Sequence, residues 1–288
     1  MNVAREPAEL PDARRAVAVG TFDGVHRGHV RVIETAQEAG LQTVVVTFDP
    51  HPRAVLGGRI ELLATLERRL ELLEAAGVDD VLVLRFDEQL AALPADGFAE
   101  RMLRAIGAET IAAGETFRFG RRREGDLELL ERLGFDVRRV PLVENVSSSR
   151  IRELVLAGEP EQAATLLGRP PEVEGAVVRG DGRGRDLGFP TANLDVPDGL
   201  LVPPDGVYAG WCRSRRAAVS IGTNPHFDGV ERRVEAHLLD FDGDLYGERL
   251  VVEIWSPIRE QRRFDSLEEL VAAIGDDVER TRATVRPV

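Results

Sequence analysis

The first half of the chain contains short apolar runs that alternate with segments of helical periodicity. One run, QTVVVTF at residues 42–48, shows no alternation of polar and apolar residues, and an earlier run, AVAVG, ends at Gly20. The amphipathic stretch LERRLELLEAAG at residues 66–77 stops at a glycine. Fully apolar strands separated by helices are typical of a parallel sheet that is covered on both faces. Residues 16–165 are therefore predicted to form an α/β domain around such a sheet.

Further elements continue this pattern. Helices are predicted over residues 28–39, near 95–106 and over 125–133, and strands at DDVLVLRF and AETIAAG. The last helix of this half is predicted to run without a break from Ser148 to Gly168, with a serine cap at its start.

A proline-containing segment, RPPEVEG at residues 169–175, ends the α/β pattern. Beyond it lie short strands separated by turn residues: VEGAVVRG, GVYAGWC, RAAVSIG, RVEAHLLDF and ERLVVEIW. This pattern predicts a small antiparallel sandwich or barrel. A closing helix follows, with Leu267, Leu270, Val271 and Ile274 on one face. The predicted domains are residues 1–168 and 169–288.

The composition excludes several kinds of chemistry. The net charge of −13 argues against non-specific binding of nucleic acid through a basic face. All 37 basic residues are arginine, so the chain has no P-loop lysine and no Schiff-base lysine.

Cys212 is the sole cysteine, which rules out an intrachain disulfide and favours a cytoplasmic location. No apolar run reaches the roughly 20 residues of a membrane span, and the first residues lack a signal-peptide core, so no membrane association is expected.

Two of the five histidines, His26 and His29, lie on the loop between the first predicted strand and helix. In an α/β sheet such a loop is the usual place for a ligand. Gly20 and Gly24 allow close approach of the backbone, and a helix start near Gly28 offers free N–H groups to a phosphate. Two imidazoles there could stabilise charge on a pentacoordinate phosphorus. A surface pair without function and half of a zinc site remain as alternatives, although the other histidines lack zinc-ligand spacing.

The glycine-rich segment GDGRGRDLGFPTANL at residues 180–194 permits two interpretations. The glycines alone are typical of a flexible hairpin. Thr191 and Asn193, however, point the same way on an extended backbone, and a hydroxyl and an amide oxygen suit Mg²⁺. In VEAHLLD, at residues 234–240, Glu235 and His237 share the face opposite the apolar residues. Glu235 is therefore either a solvent-facing residue or a base for phosphoryl transfer.

Four boxes of the first half together resemble the adenylyltransferase module of bacterial bifunctional riboflavin kinase/FAD synthetases: GTFDGVHRGH, TFDPHP, GETFRFG and SSSRIR. The resemblance implies a Rossmann-like nucleotidylyltransferase module that transfers AMP from ATP to FMN and releases pyrophosphate. It implies catalytic roles for His26 and His29. Nucleotide-binding roles are implied for Gly20, Phe22, Gly28, Thr116, Ser148, Ser149 and Arg152.

The chain departs from the family pattern at two of these positions. Thr116 stands where the family usually has Asp or Asn, and Ser149 stands where it usually has Thr. Serine keeps the hydroxyl, whereas Thr116 removes a carboxylate or amide. The efficiency of adenylyl transfer is therefore expected to be lower.

The second half resembles the riboflavin kinase module of the same family through five segments in the expected order: GRDLGFPTAN, GVYAG, SIGTNPHFDG, VEAHLLDFDGDLYG and FDSLEEL. The resemblance implies a six-stranded barrel that phosphorylates riboflavin to FMN. Thr191 and Asn193 fall on the positions that hold Mg²⁺ and ATP phosphate, and Glu235 falls on the catalytic glutamate. Gly180, Gly188 and Pro190 are the remaining predicted nucleotide-binding residues.

The sequence therefore predicts a bifunctional enzyme of flavin biosynthesis that uses ATP and Mg²⁺, with riboflavin, FMN and FAD as substrates and products. Small molecules are its expected partners, with no nucleic acid or membrane, and the oligomeric state is open. Two alternatives remain: a riboflavin kinase whose adenylylation is weak or lost at Thr116, and a non-catalytic flavin or nucleotide sensor.

Overall fold

The computed structural model describes residues 1–180, 182–223 and 232–287. The chain divides into two compact units, one formed by Met1–Ile60 with Thr65–Val146 and the other by Glu61–Ala64 with Ser147–Val288. No helix within the described residues is long and apolar enough to cross a membrane. The NPHFDG part of one family segment lies outside the described residues.

The first unit is built on a six-stranded sheet in which every pair of neighbours is parallel, in the order β1-β4-β3-β2-β5-β6. The strands are β1 Asn2–Ala4, β2 Arg15–Val19, β3 Gln42–Asp49, β4 Asp80–Arg85, β5 Ala108–Gly114 and β6 Asp136–Val140. Buried apolar side chains lie on both faces of the central strands. The predicted parallel α/β sheet is confirmed.

Helices connect these strands. They are α1 Arg27–Gln37, α2 Pro52–Val55, α3 Leu66–Ala75, α4 Glu88–Ala91, α5 Ala95–Phe98 and α6 Leu127–Arg132, with 3-10 turns at Pro7–Glu9 and Arg121–Arg123. The helix predicted near 95–106 is α5 followed by a π-helical turn, Ala99–Leu103, and a 3-10 turn, Arg104–Ile106. Gly107, at φ 70°, ends it in the left-handed conformation that glycine tolerates.

The strand order places a switch point between β2 and β5. Strands β3 and β4 extend the sheet on one side of β2, whereas β5 and β6 extend it on the other. The loops that leave the carboxyl ends of β2 and β5 therefore diverge and leave a crevice, which is where α/β sheets bind ligands.

The second unit begins with two helices, α7 Ser148–Leu156 and α8 Pro160–Leu167. The prediction of one unbroken helix was wrong, because Gly158 has a left-handed φ of 75° and Pro160 starts a new helix. Both helices pack with Leu63 and Leu201. For this reason the compact units divide at Val146/Ser147, earlier than the predicted boundary at 168/169. Where the chain can be cut into independently folding pieces stays a prediction.

The rest of this unit is a closed antiparallel barrel of six strands in the order β10-β11-β8-β7-β12-β9. The strands are β7 Glu172–Val178, β8 Ala192–Asp195, β9 Gly206–Cys212, β10 Arg215–Thr223, β11 Arg232–Leu238 and β12 Arg249–Arg259, and a short helix, α9 Arg183–Asp186, lies between β7 and β8. Alternate apolar residues fill the interior. The predicted barrel is confirmed.

The closing helix, α10, spans Leu267–Ala283, but its buried side differs from the predicted apolar face. Leu267 is 58% exposed, and the buried positions are Ala273, Asp277 and Thr281. Asp277 accepts hydrogen bonds from the Arg259 guanidinium of β12, with Nη2···Oδ2 at 2.8 Å. A partly buried ion pair, which no apolar pattern reveals, therefore joins this helix to β12.

Two candidate active sites

The histidine loop of the first unit leads into helix α1, and His26 is the cap of that helix. Its Nδ1 accepts a hydrogen bond from the main-chain N–H of His29, with an N···N distance of 3.3 Å. Because Nδ1 is the acceptor, a neutral His26 carries its proton on Nε2. The cap thus fixes the tautomer and makes Nε2 a donor.

The two imidazole rings are stacked, with centroids 3.6 Å apart and planes 13° from parallel. His26 is buried and His29 is half-buried. The pair lies at the start of α1, where main-chain N–H groups lack helical partners and the helix dipole favours an anion. The structure therefore brings two imidazoles and a helix N-terminus together, as the sequence predicted.

The loop before the histidines is tightly packed and strained. Phe22 and Val25 have φ angles of 50° and 38°, which non-glycine residues rarely adopt. A Cβ at Gly20 would lie 3.2 Å from the Phe22 ring, and one at Gly28 would lie 3.2 Å from the His26 ring. The predicted residues Gly20, Phe22 and Gly28 are thus parts of one packing arrangement around the histidines.

Thr116 lies in the turn after β5, on the other side of the crevice from the loop that follows β2. Its side chain is exposed. The turn is closed by a hydrogen bond from the Phe117 N–H to the Gly114 carbonyl. Thr116 therefore belongs to the predicted edge of the sheet, while its role in binding a nucleotide stays a prediction.

Five phenylalanines form a continuous aromatic cluster in this unit, and sequence analysis did not identify it. The contacts run from Phe86 to Phe48, on to Phe98, then Phe119 and Phe117, with centroid distances of 5.6 to 6.4 Å. Several of these residues follow or end strands at the carboxyl edge. The repeated Phe in TFDP, LRFD and ETFRFG was a usable signal.

The predicted ATP box at residues 147–152 belongs to the second compact unit. Ser147 caps α7 through its Oγ, which accepts the Arg150 N–H. Ser148 is half-buried and Ser149 is exposed. Arg152 donates from Nε to the main-chain carbonyl of Glu61 at 2.7 Å and so ties segment 61–64 to α7. A joint site of these residues with His26 and His29 stays a prediction.

In the barrel, Glu235 of β11 and Asn193 of β8 are direct partners in the antiparallel register. Both side chains are half-buried, whereas their neighbours Ala192, Leu194 and Ala236 are buried inside the barrel. Glu235 and Asn193 therefore share the outer face. Opposed residues of an antiparallel pair have Cβ atoms about 4.5–5.5 Å apart, so a carboxylate and an amide lie side by side.

Two glycines fit closely around the predicted metal ligands. A Cβ on Gly180 would lie 2.4 Å from Nδ2 of Asn193, and one on Gly184 would lie 3.4 Å from Oγ1 of Thr191. The absence of a side chain at residue 180 therefore leaves the space that the Asn193 amide fills.

The second unit contains a cavity of about 740 Å³, and its lining includes Gly188, Pro190 and Thr191 together with Ala192 and Ala236. His237 also lines it and donates from Nδ1 to the Pro190 carbonyl at 2.8 Å. Glu235 lies two residues from His237 on the same face of β11. Gly188, Pro190 and Thr191 thus border one concave region of the second unit, whereas Gly180, Asn193 and Glu235 are not among its described lining residues.

Among the described residues, no group of three or more His, Cys, Asp or Glu side chains could hold a metal ion. Thr191 and Asn193 belong to a different class of ligand. Hydroxyl and amide oxygens suit a hard cation that keeps water and phosphate ligands, which is the coordination Mg²⁺ prefers.

Comparison with known proteins connects each unit to a known activity. A family model for FAD synthetase matches residues 9–152, and one for riboflavin kinase matches residues 167–285. A bifunctional riboflavin kinase/FMN adenylyltransferase from Listeria monocytogenes is 36% identical, with 96% of this chain and 94% of the relative covered. The protein of the same name from Escherichia coli is 35% identical, with 94% and 92% covered. The chain belongs to the bifunctional riboflavin kinase/FMN adenylyltransferase family.

A solved structure shares the fold of this chain over nearly its whole length. It is described as a macrolide-efflux protein from Streptococcus pneumoniae, is 34% identical, and superposes with a TM-score of 0.88 over 98% of this chain and 99% of its own. The two family models follow each other in the order expected from the sequence. They leave residues 153–166, which include the end of α7 and most of α8, between the two matches.

Proposed function

We propose that this chain phosphorylates riboflavin to FMN with ATP and adenylylates FMN to FAD, with one active site for each reaction. The observation that carries the proposal is the presence of two separate constellations. The stacked histidines lie at the start of α1 in the first unit, and the Glu235–Asn193 pair lies on the barrel of the second.

In adenylyl transfer, an oxygen of the FMN phosphate attacks the α-phosphorus of ATP. A new P–O bond forms, the bond to the bridging α,β-oxygen breaks, and pyrophosphate leaves. Nε2–H of His26, His29 and the first N–H groups of α1 stabilise the negative charge that accumulates on the phosphate oxygens. The half-buried members of the phenylalanine cluster, Phe48, Phe86 and Phe117, offer an apolar surface for the flavin ring. Ser148, Ser149 and Arg152 are proposed to bind ATP, and Thr116 to contact nucleotide or flavin.

In the kinase reaction, the terminal ribityl hydroxyl of riboflavin attacks the γ-phosphorus of ATP. Glu235 accepts the hydroxyl proton, and the bond to the departing ADP breaks. Thr191 and Asn193 would hold Mg²⁺, which when bound neutralises charge on the phosphate oxygens. Gly180, Gly188 and Pro190 are proposed to bind the nucleotide, because they shape the region around these two ligands.

The decisive experiment supplies the purified protein with ATP and Mg²⁺ and either riboflavin or FMN, and separates the flavins by chromatography. We expect riboflavin to yield FMN and then FAD, and FMN to yield FAD. His29→Ala should lower FAD formation by about 10²–10³-fold, because one donor to the transition-state oxyanion is lost. Riboflavin phosphorylation should persist, so that FMN accumulates.

The same assay separates the alternatives. FMN formation without FAD would indicate a riboflavin kinase that has lost adenylylation at Thr116, and binding without turnover would indicate a sensor. Loss of both activities in His29→Ala would contradict two independent sites. The cytoplasmic location stays a prediction.

A further inference from the structure

Helix α3 contributes an arginine, Arg69, whose charged head lies inside the first unit. The residue is 1% exposed. Its Nη1 donates to the main-chain carbonyls of Thr21 at 2.8 Å and Phe48 at 3.1 Å, and to Oγ1 of Thr47 at 3.2 Å. These acceptors belong to the loop after β2 and to the end of β3. One nitrogen atom therefore joins two neighbouring strand ends.

Two carboxylates face this guanidinium. Asp49 approaches with Oδ1 at 3.9 Å from Nη2, and the buried Asp23 acts on Arg69 through its charge. Burial lowers the pKa of Arg69, and the two aspartates oppose that effect. An arginine keeps its charge under these conditions. The contacts therefore combine charge with hydrogen bonding, and such bonds are stronger than neutral ones.

The carbonyl that Arg69 holds lies directly before the strained part of the histidine loop. Thr21 precedes Phe22, whose φ is 50° and whose ring centroid lies 5.0 Å from that of His29. Strained conformations persist only where surrounding contacts enforce them. The contacts thus run from Arg69 through Thr21 and Phe22 to the histidine pair.

We propose that Arg69 is a positioning residue for adenylyl transfer. It fixes the Thr21 carbonyl against the end of β3, and thereby sets the backbone turn at Phe22 and the placement of the stacked histidines. This inference rests on the proposed adenylyltransferase activity. Arg69 itself does not contact the reacting atoms in this assignment, and it acts through the loop.

The same sheet offers a matched control at its opposite edge. Arg15 is also 1% exposed, and it donates to the main-chain carbonyls of Ile106 at 2.8 Å and Pro11 at 2.6 Å. Its Nη2 lies 3.8 Å from Oδ2 of Asp80. Arg15 begins β2 and lies at the amino edge, away from the ligand-binding edge. The two arginines thus share burial and bonding but differ in location.

The experiment compares Arg69→Met with Arg15→Met in the full chain. Methionine keeps an unbranched side chain of moderate length and removes the charge and the donors. FAD formation from FMN is measured below the melting temperature of each variant, with riboflavin phosphorylation as an internal activity control. The unmodified protein is assayed first, because its failure to make FAD would contradict the proposed function and not this inference.

Both substitutions should lower the melting temperature, since each leaves buried acceptors without a donor. Only Arg69→Met should lower kcat for FAD formation, by about 10- to 100-fold, because small displacements of catalytic groups have effects of that size. The KM for FMN should stay within about threefold, and FMN formation should be unchanged. Equal kcat values in the two folded variants would overturn the proposal.

A milder pair decides the question if Arg69→Met does not fold. Thr47→Val removes the hydroxyl that accepts from Arg69 and that donates to the Thr21 carbonyl at 3.0 Å, while keeping the side-chain shape. Thr110→Val removes a hydroxyl of similar burial that bonds to Asp136 on neighbouring strands. We expect kcat for FAD formation to fall about threefold or more in Thr47→Val alone. Equal values in both valine variants would again overturn the proposal.

Discussion

Glu235 lies directly opposite Asn193 across the antiparallel pair of β11 and β8, on the outer face of the barrel. The proposed base and the proposed metal ligand are thus held by the register of two strands. A slip of either strand by one residue would turn its own functional side chain toward the interior. The packed interior therefore maintains the alignment of these two functional side chains.

Replacement of Glu235 by Gln should abolish riboflavin phosphorylation. Glutamine keeps the shape of the side chain but cannot accept a proton at neutral pH. We expect at least a 100-fold loss of kcat for FMN formation, since general bases contribute about 10²–10⁴-fold. FAD formation from supplied FMN should persist. The control is Glu248→Gln, which changes an exposed carboxylate of the same unit that pairs with Arg213. Near-normal kinase turnover in Glu235→Gln would show that another group accepts the proton.

Gly180→Ala should impair the kinase without unfolding the barrel. The added methyl group would lie 2.4 Å from Nδ2 of Asn193, so the amide would have to turn away. We expect kcat/KM for riboflavin phosphorylation to fall at least tenfold, a range typical of misplaced catalytic contacts. Gly275→Ala is the control, because a Cβ there meets open space on α10. That substitution should leave activity intact and raise stability by about 0.5–1 kcal/mol. Full activity of Gly180→Ala would argue against a metal-binding role for Asn193.

Thr116→Asn should raise FAD formation. Asparagine reaches further from the exposed turn after β5 and offers two polar atoms, where threonine offers one hydroxyl. One additional hydrogen bond is worth about 0.5–1.5 kcal/mol, so kcat/KM for FMN should increase about two- to tenfold. The measurement is kcat/KM for FMN in both proteins, with kinase activity as the control. An unchanged or lower value would show that other groups compensate for Thr116.

A fragment of residues 147–288 should be more stable than one of residues 169–288. The longer fragment keeps α7 and α8, which bury Leu201, and keeps the hydrogen bond between Glu161 and Ser256 of β12. Both fragments contain Thr191, Asn193 and Glu235, so both should form FMN where folded. Thermal melting and riboflavin phosphorylation are the two measurements. Equal melting temperatures would show that the helices add nothing to the barrel.

The barrel should lose stability above pH 9. Burial of Cys212 raises the pKa of its thiol to about 11, above its ordinary value of about 9, and burial also raises the pKa of Tyr208. An unfolded chain releases these protons at lower pH than the folded one, so stability is intact below about pH 9 and falls as the pH rises toward 11. Melting temperatures at pH 8, 9.5 and 10.5 test this. The decline should be smaller in Cys212→Ala and smallest in Cys212→Ala/Tyr208→Phe, and an identical decline in all three proteins would contradict it.

Local sequence patterns were sufficient to predict many strands and helices, but they did not predict features that depend on long-range contacts. The run at residues 42–48 predicted β3 because a buried strand must be apolar on both faces. Gly158 and Pro160 mark the break between α7 and α8 in the sequence. The helical periodicity continues on either side of them, and for this reason one unbroken helix was predicted.

Two arginines whose ion pairs and hydrogen bonds the sequence did not predict show a second limit. Arg69 lies on an amphipathic helix, where a charged residue usually faces solvent, and its acceptors come from elsewhere in the sheet. Arg259 and Asp277 similarly place charge where apolar residues of α10 were expected. The opposition of Glu235 and Asn193 also depends on a pairing register that neither strand specifies alone. Such features arise from tertiary structure, and local sequence patterns do not contain them.

Along β8 and β11, successive side chains point alternately into the barrel and outward. The inward side chains fill the core, and the outward ones include the proposed catalytic residues. The inward residues of the two strands are Ala192, Leu194, Val234, Ala236 and Leu238. Because Leu194 and Val234 fill the interior and are not among the residues that line the cavity beside Thr191, a library confined to these two positions could exchange apolar residues of conserved total volume. Thermostable kinases could then be selected without redesign of the catalytic face, since core identity and chemical function are encoded in separate, interleaved positions.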